Sequence, residues 1–101
     1  MILVIGLGFV GLTTALGLSE KGNTVYAYDI DIDKMNLIQN KKIPFYEAGL
    51  QEILNKNLNK NFFLTKDIKE VIDKIDVIIL CVGTPSGSNG EADLSYIKSA
   101  I

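Results

Sequence analysis

In Ile2-Leu3-Val4-Ile5-Gly6-Leu7-Gly8-Phe9-Val10-Gly11, four branched apolar residues run without interruption into a segment carrying three glycines. A run with no polar alternation is the pattern of a strand buried on both faces, as in a parallel sheet. The glycines then mark a strand-to-helix turn. Position 6 permits the tight bend, position 8 lets bare backbone approach a diphosphate, and position 11 allows close helix-strand contact. A helix N-terminus placed there turns unpaired N–H groups and a partial positive charge toward an anion. Three glycines serving turn and packing alone are the plainer explanation, and the strand-helix-strand context weighs against it.

From Phe9 to Lys21 the spacing predicts a helix with Val10, Leu12, Ala15, Leu16 and Leu18 on a largely buried face, stopped by Gly22 and Asn23. Thr24 to Asp29 is the second strand, and Asp31 caps a helix from Ile32 to Asn40 that turns Met35, Leu37 and Ile38 inward. Lys41 to Tyr46 is expected to be extended around Pro44. The next helix starts near Glu47 and uses Leu50, Ile53, Leu54 and Leu58, and Asn55 to Asn61 reads as its fraying end running into a polar surface loop. Phe62 to Thr65 is a third strand. Asp67 and Glu70 open a short helix with Ile68, Val71, Ile72 and Ile75 inward. Val77 to Val82 is the most hydrophobic strand and is expected to be central in its sheet. A Gly/Pro/Ser-rich loop, Gly83 to Ala92, leads to Asp93, which caps a helix still running at Ile101, so a truncated domain is expected. Alternating strands and helices with right-handed crossovers give an α/β, Rossmann-like, doubly wound parallel sheet in strand order 3-2-1-4. Its switch point lies between strands one and four.

At 101 residues the chain has the length of one domain, and its 48% hydrophobic and 22% charged residues are those of a folded globular protein. A formal charge of -2 makes nucleic acid and anionic membranes poor partners. There is no His, which removes His-based triads and the commonest metal ligand, and Cys81 is the single cysteine, so no internal disulfide and no metal site are expected. The glycines break the initial apolar run well short of a membrane span, and a cytoplasmic protein is expected.

Asp29 ends the second strand, 18 residues beyond Gly11 (29 − 11), where a carboxylate accepts hydrogen bonds from the hydroxyls of an adenosine ribose. It would repel the 2′-phosphate of NADP, and all ten basic residues are Lys, leaving no guanidinium to clamp that phosphate. The expected cofactor is NAD. Lys34 is within reach of the ribose or adenine edge, although an ordinary exposed helix lysine accounts for it as well. Val82, Gly83 and Thr84, at the carboxyl end of the fourth strand, face the glycine turn across the switch point; Thr84 is a candidate contact, with a plain turn as the alternative. Cys81, flanked by apolar residues with no His in the chain, is read as a packing residue. Glu47 is read as a helix-dipole partner and Tyr46 as packing at the sheet edge.

Ile5 to Leu12 (IGLGFVGL), Ala27 to Asp31 (AYDID), Pro44 to Leu50 (PFYEAGL), Cys81 to Pro85 (CVGTP) and Gly90 to Ile97 (GEADLSYI) together resemble the amino-terminal, NAD-binding part of the UDP-glucose/GDP-mannose dehydrogenases. The resemblance covers essentially the whole chain; such enzymes are about four times longer. It implies a parent enzyme, expected to be a homo-oligomer in polysaccharide biosynthesis, that oxidises the C6 alcohol of a nucleotide sugar, with UDP-glucose favoured, to a carboxylate. The route is two hydride transfers to NAD and a thioester on a catalytic cysteine. That cysteine, a lysine and an acidic residue lie in later segments, so the resemblance places no catalytic residue in this chain and excludes Cys81 as the nucleophile. The fragment alone is expected to be inactive. Carried over by position, Gly6, Gly8 and Gly11 hold the pyrophosphate, Asp29 and Lys34 the adenosine ribose, and Thr84 the region of the nicotinamide ribose, with Leu7, Phe9, Val10, Val82 and Gly83 as further cofactor-binding residues. Ala48 stands where the family usually has proline. The alternatives are the cofactor half of a 3-hydroxyacyl-CoA or 6-phosphogluconate type dehydrogenase, or a non-catalytic NAD-sensing module.

Overall fold

Seven regular elements follow one another in the structure, a computed structural model that describes residues 1–81. They are β1 (Ile2–Ile5), α1 (Phe9–Glu20), β2 (Val25–Tyr28), α2 (Ile32–Gln39), α3 (Leu50–Asn57), β3 (Phe62–Leu64) and β4 (Val77–Leu80), with two 3₁₀ turns, Ile68–Glu70 and Ile72–Lys74, before β4. The strands form one parallel sheet in the order β3-β2-β1-β4, as the alternation of elements predicts. Ile2 pairs with Val25 on one side and Val77 on the other, and Ile5 with Tyr28 and Leu80. The carboxyl ends of these three strands are therefore level, and the loops leaving them share one edge.

β1 is the centre of the core. Leu3, Val4 and Ile5 are fully buried because the sheet is covered on both faces. On one face Val4 packs with Leu12, Ala15 and Leu16 of α1, Leu54 of α3 and Phe62; on the other Leu3 and Ile5 meet Ile68. Each such side chain contributes about 1.5–3 kcal/mol on burial.

Several boundaries and faces differ from expectation. Val10 is 64% exposed, since it lies in the first turn of α1, beyond the sheet edge. α3 begins at Leu50 rather than Glu47, because Gly49 caps it in a left-handed conformation (φ +83°) that no helix interior contains. Tyr46, expected against the sheet edge, is 91% exposed. The segment after Asp67 forms 3₁₀ turns rather than a helix: Asp67 accepts from the Lys69 amide, and Ile72 is left exposed. β4 is not central. Among the described residues its only neighbour is β1, and Val77, Ile78 and Leu80 are about half exposed.

The Asn/Lys stretch ends α3 at Asn57 and runs into a turn with Asn59 and Lys60 exposed, as expected, but Asn57 and Asn61 turn inward rather than to solvent. Asn57 is almost fully buried, donates to Ile53 O (2.9 Å) and Glu20 Oε1 (3.4 Å), and accepts from Asn61 Nδ2 (3.2 Å). Asn61 also donates to Ser19 O, and Lys56 Nζ lies 3.1 Å from Glu20. These contacts clasp α3 to the end of α1. The hydrogen bond from Lys56, then that from Asn57, holds the Glu20 carboxyl below the usual carboxylate range. Gly22 (φ +99°) after α1 and Asp31 before α2, which accepts from the Asp33 and Lys34 amides, act as the sequence predicts.

Candidate functional site

The loops leaving β1 and β2 enclose a cleft of about 470 Å³ lined by Gly6, Gly8, Phe9, Val10, Asp29, Ile30, Asp31, Lys34 and Cys81. Backbone geometry accounts for its floor. Gly6 takes φ +97°, a left-handed conformation costly for residues with a Cβ, and so turns the chain off β1 at once while its amide still donates to Tyr28 O (2.8 Å). Gly11 is constrained by contact instead. A Cβ there would overlap the Gly6 carbonyl oxygen, lie 2.8 Å from the Gly6 carbonyl carbon and come within 3.2 Å of Cys81 Cβ. Helix and turn are thus in direct backbone contact.

Gly8 differs from both. It caps α1 without a side-chain hydrogen bond, and a Cβ built on it meets no protein atom within 4 Å. The space beside it is open, and the first-turn amides of α1 have no intrahelical acceptors. A bare helix N-terminus beside open space is the arrangement that receives a phosphate. Phe9 and Val10, both more than half exposed, flank it, and the Phe9 ring lies 5.2 Å from that of Phe45.

The opposite wall is electrostatic. Asp29 is 6% exposed, and both carboxylate oxygens are occupied: Oδ2 accepts from the Leu7 amide (2.7 Å) and Oδ1 from the Asp31 amide (2.8 Å). Lys34 Nζ lies 3.5 Å from Oδ2, so this lysine is an ion-pair partner rather than a solvated helix residue. The buried carboxylate is thus met by two backbone donors and one ammonium group. Ile30, exposed at 47%, and Asp31, which the sequence marks only as a helix cap, join the wall within two residues of Asp29. Cys81 lines the cleft and bonds through its amide to Ile5 O (2.8 Å), beside Gly11 and only partly buried.

Gly6, Gly8, Phe9, Val10, Asp29 and Lys34 thus meet in one cleft, while Leu7 is buried beneath it and Gly11 serves the turn. Val82, Gly83, Thr84 and the cap at Asp93 lie outside the described residues. Among the described residues no group of His, Cys, Asp or Glu is arranged to hold a metal, and no helix is long and apolar enough to cross a membrane.

Residues 1–101 match the family model described as the NAD binding domain of the UDP-glucose/GDP-mannose dehydrogenase family. The chain is 44% identical over 100 residues to the UDP-glucose 6-dehydrogenase TuaD of Bacillus subtilis, covering 98% of this chain and 22% of that protein. It is 42% identical over 97 residues to the GDP-mannose 6-dehydrogenase of Pseudomonas savastanoi pv. phaseolicola, covering 95% and 22%. A GDP-mannose dehydrogenase from Pseudomonas aeruginosa, solved as a ternary complex, superimposes with a TM-score of 0.83 at 38% identity, covering 97% of this chain and 23% of that one. The chain spans about a fifth of the length of these relatives.

Proposed function

From the premise that this chain belongs to the UDP-glucose/GDP-mannose dehydrogenase family, as its NAD-binding domain, we propose that its cleft holds NAD for the oxidation of a nucleotide sugar carried out by a longer protein. The observation that carries the proposal is the pairing of a bare α1 N-terminus at Gly8 with the buried, amide-bonded carboxylate of Asp29 across one cleft. Gly8 and the first-turn amides of α1 receive the diphosphate, and Asp29 with Lys34 receives the adenosine ribose. Exposed Ile30 offers an apolar surface to the adenine. When bound, NAD supplies the hydride acceptor. Asp29 repels a 2′-phosphate, and Lys34, already paired with Asp29, offsets that repulsion only weakly. By its sequence resemblance, Thr84, with Val82 and Gly83, is assigned in this proposal to the nicotinamide ribose. A cytoplasmic location and a homo-oligomeric parent are part of the same reading.

For the parent's substrate we favour UDP-glucose over GDP-mannose, on the 44% identity to the Bacillus subtilis UDP-glucose enzyme. The 42% identity to a GDP-mannose enzyme supports the second sugar nearly as well. Initial rates of NADH formation by the full-length protein with each sugar nucleotide decide between them, and a faster rate with GDP-mannose reverses the choice. The cofactor assignment is tested by titrating this chain with NAD and NADP. NAD is expected to bind at least tenfold more tightly, and Asp29→Ala to remove most of that preference. Equal affinities in the unaltered chain overturn the ribose assignment.

A further inference from the structure

Asp29 makes contacts that reading a ribose does not require. Its Oδ2 accepts the Leu7 amide across 22 residues of sequence, at 2.7 Å and in a buried setting, and its Oδ1 accepts the Asp31 amide at 2.8 Å. Leu7 is the residue between Gly6 and Gly8, and its side chain is fully buried. The same carboxylate is therefore tied to the middle of the glycine turn and to the cap of α2. A carboxylate has about four acceptor positions. Leu7 N takes one position on Oδ2, with Lys34 Nζ 3.5 Å from the same oxygen, and Asp31 N takes one on Oδ1, leaving a position on Oδ1 for a ribose hydroxyl.

We propose that Asp29 is a positioning residue for the diphosphate subsite as well as a ribose contact: its hydrogen bond to Leu7 N holds the glycine turn in its binding shape before cofactor arrives. The Gly6 amide on Tyr28 O, the Gly8 carbonyl on Leu12 N and the buried Leu7 side chain also anchor the turn, but none of them satisfies the Leu7 amide. Gly6 and Gly8 bring no side chains, and Gly8 has no side-chain cap. Without the carboxylate, the Leu7 amide would be a buried donor lacking its partner, and the turn would have to shift to reach another acceptor. The two halves of the dinucleotide site are then coupled through one side chain, and loss of Asp29 weakens ligands that have no ribose hydroxyl to offer it.

The ligand-binding arm of the test rests on the NAD reading, and a ligand-free arm does not. In the ligand-free, isotopically labelled chain, a through-hydrogen-bond scalar coupling between the Leu7 amide nitrogen and the Asp29 carboxyl carbon is expected, and its absence overturns the latch. The chain and its Asp29→Asn variant are then titrated with NAD and with an NAD analogue whose adenosine ribose lacks both hydroxyls. Asn keeps one acceptor oxygen but turns an NH₂ toward the other backbone donor, so it cannot serve both amides. Loss of at least fivefold in affinity for the hydroxyl-free analogue supports the latch. An analogue affinity unchanged within twofold, with NAD binding weakened, overturns it and leaves the ribose contact standing. If the unaltered chain binds no NAD the cofactor reading fails, and the coupling alone supports or overturns the latch.

Discussion

Glycine does three different jobs between positions 6 and 11 of this chain. At position 6 the requirement is conformational, at position 8 it is empty space for a ligand, and at position 11 it is contact with the Gly6 carbonyl. The consequences differ accordingly. Gly11→Ala forces a methyl into backbone that has no flexible end to yield, and is expected to cost more than about 3 kcal/mol by displacing α1 from β1. Gly17→Ala is the control: it lies inside α1, nothing stands within 4 Å of its added methyl, and it should gain roughly 0.5–1 kcal/mol from helix propensity. Urea unfolding of the two variants checks both signs. The residues of the cleft were largely legible because they are defined by local rules: a glycine turn after an apolar run, and an acid at the end of the next strand. The Asp29–Leu7 hydrogen bond was not, since nothing local indicates which acceptor a turn amide will find 22 residues away.

At the scale of elements, the α1–α3 contact is closed by polar side chains. Ser19, Asn57 and Asn61 are linked through buried or partly buried hydrogen bonds, and Glu20 joins them at the exposed end with Lys56. Because the folded Glu20 carboxyl titrates below its ordinary value, its contribution to stability is present above the unfolded value and fades as pH falls through the lowered folded one. Glu20→Gln should therefore flatten the acid limb of thermal stability against pH while leaving the neutral-pH shape of the curve intact. Thermal melts between about pH 3 and pH 7 read this out. Periodicity marked α3 through its leucines but assigned Asn57 and Asn61 to a solvated loop. Asparagine is usually exposed, and only a neighbouring helix end with unpaired carbonyls gives it a reason to be buried.

In the sheet as a whole, β4 combines high hydrophobicity with an edge position among the described residues. Val77, Ile78 and Leu80 are each between 44% and 50% exposed, and a flat apolar edge is a template for pairing with another chain. Concentration-dependent self-association is expected, and Ile78→Lys should reduce it with little loss of fold stability, because a half-exposed side chain loses only part of its burial. Sedimentation at several concentrations, with a denaturation curve for each variant, measures both effects. An Ile78→Lys variant that associates as strongly as the unaltered chain would show that this edge is not the sticky surface.

Apolar periodicity, glycine spacing and capping residues suffice for the parallel sheet, its 3-2-1-4 order and the place of the cleft, because these follow from backbone sterics and from short connections of one hand. Folding in three dimensions settled the rest: that β4 stands at the edge of the sheet formed by the described residues, that Tyr46 meets solvent, that Asn57 is buried, and that Asp29 grips the glycine turn. Each of those depends on which distant groups come to lie alongside. Burial and hydrogen-bond partnership belong to pairs of surfaces, and a one-dimensional pattern specifies one surface at a time.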